Sequence, residues 1–407
     1  MRKKLNGLCA TFATPTGTRE ECHLFAPDGT VRRITATPPR DPRILDLRGT
    51  PHIALPGLID MHVHLRGLRL SYKETVRTGT LAALRGGITL VADMPNTRPR
   101  IDTPEAVRLR LMEIRREAAI PVLIIAGIPR SQEHAHKIAR TPGVVAFKAY
   151  PGDLEREREL RWAAETGLPI ILHPELPEAE KADLEREHLA ARSAHRACHL
   201  EAAAVGLLRD LLGRDARIHV THASCPSTVR EAGRHNATVD VAPHHLIYDA
   251  RSPPNMDQCL GKVNPPLRAP TERQELLNLL IEGSIDAVAS DHAPHAPWEK
   301  SEPLACASGI PWLELWPMVL LSLLRGLGLG RALVYLARLT SRGPADILGV
   351  PMPGSVGGPA SYTIVSPVPG RFTGFAESRG VRRYHFMARL GGIIYTSIIN
   401  SIMNILN

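Results

Sequence analysis

A (β/α)8 TIM barrel with a small β-sandwich domain beside it is the α/β fold class this chain predicts, on three observations. Short apolar, β-branched runs alternate eight times with longer, charged, helix-like stretches. The polar residues of those runs collect at one end, which in such barrels is the C-terminal, active face. The flanking segments 1–53 and 346–407 carry β-like pieces ("VRRITATP", "ASYTIVSP") punctuated by Gly and Pro, and these fall outside the count. The barrel is therefore assigned to 54–345 and the sandwich to the two chain ends together.

The predicted strands, in order, are "ALPGLIDMHVHL" (54–65), "ITLVADM" (88–94), "PVLIIAGI" (121–128) and "GVVAFKAY" (143–150). "LPIILHPE" (168–175), "ARIHVTHAS" (216–224), "ATVDVAPHHL" (237–246) and "IDAVASDHAPH" (285–295) follow. Between them, stretches such as "TPEAVRLRLMEIRREAA" (103–119) and "TERQELLNLLIEG" (271–283) have the spacing of amphipathic helices. The longest spacing precedes the sixth strand, leaving room for a loop or an extra helix around 176–200. The tail "GGIIYTSIINSIMNILN" reads as a strand plus a short helix.

With 407 residues, 43% of them apolar, the chain can bury the core of one large barrel and an accessory piece. Its net charge of +9 comes from 42 Arg and 8 Lys set among acidic residues, as in "LEREREL" (154–160). Such mixed runs are solvated helix faces rather than a nucleic-acid groove, although a basic surface favours small anionic substrates. The six cysteines show no CxxC spacing and no disulfide-like density, which points to a reducing cytoplasm. The opening "MRKKLNGLCATFATP" has no apolar stretch of signal-peptide length. No run of about 18 apolar residues marks a membrane span.

His62 and His64 fall on the same side of the first strand. Two imidazoles on one face of a buried strand are costly unless something satisfies them. His173, His222, His244, His245 and Asp291 occupy matching strand ends, with Asn96 and Lys148 beside them. Histidines and a carboxylate suit a borderline-soft divalent ion, zinc first. Lys148 is the odd member, because an ammonium repels a cation. On spacing alone, a salt-bridging lysine is the better reading.

"LPGLIDMHVHLR", "DMPNT", "FKAY", "THAS", "KVNPPLR" and "SDHAPH" together resemble the dihydroorotase family of the amidohydrolase superfamily, from about residue 54 to 315 and in the family's order. The resemblance implies an enzyme, with two divalent metal ions at the barrel mouth, usually zinc. His62, His64 and Asp291 would hold one, and His173 and His222 the other. Lys148 would carry a CO2-derived carbamate bridging both, which turns the offending cation into an anion. His219 in "HVTHAS" competes with His222 as ligand, and the family pattern favours His222. The implied reaction is the reversible interconversion of N-carbamoyl-L-aspartate and L-dihydroorotate in pyrimidine synthesis. A hydroxide bridging the metals attacks the ring amide, and Asp291 is the general acid/base. Arg66 would meet the substrate carboxylate in a forked contact, helped by Asn96 and His295. Asn264, Gly309 and backbone near Ser308 would touch the ring. Asp93 and Glu175 would support the ligands from behind; no ligand role falls to His244 and His245, whose part is structural or one of support.

Many relatives read HLREPG where this chain reads "HLRGLR", so its first loop lacks a Glu-Pro-Gly turn. Allantoinases and dihydropyrimidinases (hydantoinases) are rival enzymes that have no need of Arg66. A non-catalytic scaffold for aspartate carbamoyltransferase is a rival of another class, and such chains lose metal ligands. A homodimer, or an association of the active enzyme with aspartate carbamoyltransferase, stays open.

Overall fold

The computed structural model describes residues 5–181, 188–253, 257–301, 306–371, 382–390 and 393–396. The chain opens with five strands, β1 (Gly7–Thr14), β2 (Gly17–Phe25), β3 (Val31–Thr35), β4 (Ile44–Asp46) and β5 (Ile53–Pro56). Eight barrel strands follow: β6 (Leu58–Val63), β7 (Ile88–Asp93), β8 (Val122–Gly127), β9 (Val144–Ala149), β10 (Ile170–Leu172), β11 (Ile218–Val220), β12 (Thr238–Val241) and β13 (Ala287–Val288). Three more close the described chain, β14 (Tyr362–Arg371), β15 (Arg382–Leu390) and β16 (Ile393–Thr396).

Strands β6 to β13 pair in sequence order, and each pairs parallel to the next. A bridge from Val63 to His292, with the His64 N–H donating to the His292 carbonyl at 2.8 Å, brings the last strand beside the first. This is the nearly closed (β/α)8 barrel that the alternation predicts. Each strand lies inside its predicted run but is shorter, two residues in the case of β13. Most of the polar residues at the C-terminal ends of these runs lie just past the sheet, whereas His62 and Lys148 stay on their strands and His244 and His245 start a short helix, Pro243–Ile247.

The crossover helices start where the sequence places their signals. Thr103 caps the helix Pro104–Glu117 by accepting the Ala106 N–H, and Pro104 occupies the first turn. The long gap before β11 holds the helices Pro177–Lys181, Leu189–His195 and Cys198–Leu212. Apolar packing between strands and helices forms the main core. A second cluster includes Ala146 and Ile171 and is closed by Ile347 and Leu348 of the helix Gly343–Leu348. Ala146 lies two residues before Lys148 on β9, and Ile171 on β10 lies two before His173, which follows that strand's end, so they floor the site those residues build.

The chain ends meet in a second sheet, ordered β16-β15-β14-β5-β1-β2-β3 with β4 on β1. β5 is its seam, parallel to β1 and antiparallel to β14. The strand expected in the tail is β16, whereas the short helix expected after it lies outside the described residues. Among those residues no helix is long and apolar enough to cross a membrane.

The reading of the cysteines as unpaired thiols needs correction. All six are joined, Cys9–Cys22, Cys198–Cys225 and Cys259–Cys306. Cys9 faces Cys22 across the β1–β2 ladder, and the other pairs are brought together only by barrel loops. Linear spacing cannot see such pairs, and free thiols no longer speak for a reducing compartment. The two barrel bridges close 27 and 47 residues. Crosslinks over loops of that size contribute about 2–4 kcal/mol each. Unfolding in guanidinium with and without reductant should show a midpoint well below that of the oxidised protein once the bridges are reduced. Coincident curves would mean that the bridges contribute nothing.

Candidate active site

Every metal-ligand and substrate-contact residue expected from the sequence lines a single cavity of about 250 Å³ at the C-terminal mouth of the barrel. His62 (on β6) and Lys148 (on β9) come from strands. His64, Asn96, His173, His222 and Asp291 stand one to three residues past strand ends. Arg66, Asn264, His295 and Gly309 complete the wall from longer loops.

Asp291 sits between the first two histidines, its Oδ1 lying 3.4 Å from His62 Nε2 and 3.3 Å from His64 Nε2. The ligand atoms of these three residues lie within 4.8 Å of one another, a group that can hold a metal ion. The rings of His62 and His222 are 4.9 Å apart, and those of His173 and His222 are 4.6 Å apart. Burial, then the charge of Lys148 and of neighbouring imidazoles, holds His62 well below the usual histidine range. His222 lies well below it too, through burial followed by His173 and Lys148. Both rings are therefore neutral, and each keeps a lone pair.

Lys148 Nζ is fully buried and has no hydrogen-bond partner among the described residues, and neither has His222 Nδ1. The salt-bridging alternative for Lys148 therefore has no bridge behind it. Burial pulls its ammonium down to about 7, against the pull of Asp291 and Asp240. A fully buried amine among histidines and without an acceptor does not suit an ammonium, and burial favours its neutral form.

The outer ligand nitrogens are held from behind. His64 Nδ1 lies 2.6 Å from Asn96 Oδ1, so Asn96 holds the His64 ring as well as facing the cavity. His173 Nε2 lies 2.6 Å from the Glu175 carboxylate, which also takes the guanidinium of Arg196. Burial would raise Glu175, but the His173 hydrogen bond and the Arg196 charge outweigh it and keep it ionised. His173 is thus left with Nδ1 for a ligand. His244 and His245 lie off the cavity wall, and His245 Nε2 donates to the Pro265 carbonyl at 3.0 Å.

Arg66 is 6% exposed, and no carboxylate among the described residues lies within ion-pair distance of it. Its Nε donates to the Pro294 carbonyl at 3.0 Å, and Nη2 lies 3.2 Å from His295 Nε2. His295 bonds the Ser308 carbonyl through Nε2 at 2.9 Å and Lys73 Nζ through Nδ1 at 3.2 Å. Burial, with Arg66 and Lys73 nearby, lowers His295 to about 4, so the ring is neutral.

The missing Glu-Pro-Gly turn is replaced by side chains from the helix Pro104–Glu117. Arg66, Gly67 and Leu68 all take left-handed backbone, with φ of 49°, 61° and 47°. Asp93 Oδ1 accepts the Leu65 N–H at 2.9 Å, and Glu113 accepts the Leu68 N–H at 2.7 Å. Buried Arg110 ties Asp93 to Glu113. A Cβ at Gly67 would run into the Arg110 guanidinium and the Glu113 carboxylate. Gly67→Ala should therefore raise KM for a carboxylate substrate by about tenfold or more, through strain of roughly 1–3 kcal/mol. Steady-state kinetics decide it, and an unchanged KM would show that the loop does not position Arg66. His222 and Asp291, at φ of 41° and 49°, share this uncommon conformation, which clusters at functional sites.

Four cavity residues escape the sequence reading, Tyr150, Pro151, Arg196 and Ala293, of which Tyr150 and Arg196 bring polar side chains. Tyr150 had a signal, since it follows Lys148 by two and shares its strand face. Arg196 had none, being one of 42 arginines in a region without strand periodicity. Its Nη1 and Arg192 Nη2 donate to Asn264 Oδ1 at 3.1 and 2.6 Å. As arginine only donates, the Asn264 amide is fixed with its oxygen outward and its NH2 available to the cavity.

Comparison with known proteins agrees with this geometry. Residues 51–147 match the family model described as dihydro-orotase-like. The chain is 46% identical over 315 residues to a dihydroorotase of Aeropyrum pernix, covering 75% of this chain and 72% of that one. It is 37% identical over 302 residues to a dihydroorotase of Saccharolobus solfataricus, covering 74% and 70%. Among solved structures, the L-hydantoinase (dihydropyrimidinase) from Arthrobacter aurescens superposes with a TM-score of 0.82 at 22% identity, over 96% of both chains. That likeness establishes the barrel with its accessory β domain, and the identity to the curated relatives goes further. This chain belongs to the dihydroorotase family of cyclic amide hydrolases.

Proposed function

We propose that this enzyme interconverts L-dihydroorotate and N-carbamoyl-L-aspartate. The observation that carries the reading is Arg66, a buried guanidinium in the cavity wall with no carboxylate partner among the described residues. A buried cation without a counterion is costly unless a ligand supplies one. A cyclic amide bearing a carboxylate supplies it, and places its ring between Arg66 and the histidine cluster. Hydantoins and dihydropyrimidines without that carboxylate would leave the cost standing, which argues against the hydantoinase reading.

The donor set fits two divalent ions, zinc first. His62, His64 and Asp291 would hold one, His173 and His222 the other, with a carbamate on Lys148 shared between them. Such ions, when bound, lower the pKa of water and polarise an amide carbonyl. The remaining work falls to the protein. Arg66 binds the carboxylate and sets the ring's orientation. The Asn264 NH2 donates to a ring carbonyl. Asp291 accepts a proton as water oxygen adds to the amide carbon, and returns it to the ring nitrogen as the C–N bond breaks. In the reverse direction Asp291 takes the proton from the carbamoyl nitrogen as the ring closes.

Hydrolysis of dihydroorotate, allantoin and dihydrouracil by the zinc-loaded protein tests this. Turnover of dihydroorotate alone is expected. Turnover of the uncharged rings instead would keep the metal chemistry and overturn the substrate.

The amine of Lys148 must be neutral to attack CO2, forming the N–C bond as its proton leaves. At an ordinary lysine pKa about one amine in 3,000 would be neutral at pH 7, whereas a value near 7 makes about half available. Because this pKa is lowered, protonation blocks the reaction only below it. At a fixed concentration of dissolved CO2, reactivation of metal-stripped enzyme by zinc should therefore be level above pH ~7 and slow about tenfold per unit below. A rate that keeps climbing towards pH 10 would contradict it.

A further inference from the structure

His219, the histidine left without a role, heads a chain of hydrogen bonds that ends on a proposed metal ligand. His219 Nε2 lies 2.8 Å from Asp240 Oδ2. The Thr221 hydroxyl lies 2.9 Å from that same oxygen, and His62 Nδ1 lies 2.6 Å from the Thr221 hydroxyl. The other Asp240 oxygen accepts the His222 N–H at 2.6 Å. Thr238 Oγ1 lies 2.9 Å from His219 Nδ1 and completes the brace. His219, Thr221, His222 and Asp240 are each 2% exposed or less.

The direction of these bonds is forced. A carboxylate only accepts, so Thr221 spends its proton on Asp240 and its oxygen is left to accept from His62 Nδ1–H. The proton of neutral His62 is thereby fixed on Nδ1, and the lone pair of Nε2 points at the Asp291 side of the cavity. The same carboxylate pins the backbone of His222, whose φ of 41° is left-handed and unfavourable for a histidine. Both nitrogens of His219 are occupied in this brace, so it offers no lone pair to a metal.

We propose that Asp240, braced by His219 and acting through Thr221, is the positioning residue for both halves of the metal site. It sets the tautomer of His62 for one ion and the backbone of His222 for the other. The inference rests on the metal reading above, and not on the identity of the substrate.

The test uses cobalt(II) as the probe, read by its visible absorption and by competition with a chelator. Thr221→Val keeps the volume and removes only the hydroxyl, and Thr221→Ser restores it. In the valine variant, affinity for the ion held by His62 should fall ~10–100-fold and the cobalt spectrum should change. Its kcat should fall with KM for dihydroorotate unchanged, and the serine variant should recover all three. Asp240→Asn should weaken both ions, since an amide NH2 opposes one of the donors it now faces. Wild-type cobalt affinity and spectrum in the valine variant would overturn the proposal. A wild-type protein that binds no cobalt would instead sink the metal reading, and the inference with it.

Discussion

Lys148→Ala should cost on the order of 10³-fold or more in kcat/KM, a loss comparable to removing one preorganised stabilising group from a buried site. The same variant should hold fewer than two ions per chain. Short carboxylic acids such as acetate should restore part of the activity, because they can occupy the space left by a carbamate and supply the missing anion. The fold should survive the change. Lys148 Nζ has no hydrogen-bond partner among the described residues, so its truncation breaks no bond and relieves a buried amine. Lys148→Met, which refills the volume, guards against a cavity effect and should be as inactive and at least as stable. Metal analysis and turnover of dihydroorotate decide the matter. Full activity in either variant would remove Lys148 from the metal site.

Arg66→Ala should act on a different quantity. Truncating one partner of a buried charge pair costs about 2–5 kcal/mol, so kcat/KM for dihydroorotate should fall about 10²–10³-fold. Cobalt binding should change far less than turnover, as among the described residues Arg66 donates to the Pro294 carbonyl and makes no hydrogen bond to a proposed metal ligand. Arg66→Lys should recover little, since an ammonium cannot reproduce a planar fork. Any weak turnover of dihydrouracil, which lacks the carboxylate, should be untouched or improved. If dihydroorotate turnover survived the alanine change, the carboxylate reading would fail while the metal site stood.

Much of this site is legible in the amino-acid sequence alone. A strand alternates its faces, so His62 with His64, and Lys148 with Tyr150, can be paired from residue number. Parallel barrel strands all end at one face, so histidines at the ends of separate runs must converge there. Other parts are not legible. Glu113 holds the Leu68 amide of the first loop from a helix 45 residues away. Arg196 meets Glu175 across 21 residues and Asn264 across 68. No local period links such residues. The cysteines fail for the same reason, because Cys259 and Cys306 lie 47 residues apart and become neighbours only in the folded chain.

The sequence by itself determined the barrel, the end of it that is functional and the residue types that gather there. Those depend on periodicities of two and 3.6 residues, which are properties of the local backbone. Only the tertiary structure decided that, among the described residues, Lys148 has no salt bridge and Arg66 no carboxylate within ion-pair distance, that the cysteines are joined and that Thr238 and Asp240 take both ring nitrogens of His219. Each of these is a question of which partner a side chain finds, and partners are set by distances between elements far apart in the chain.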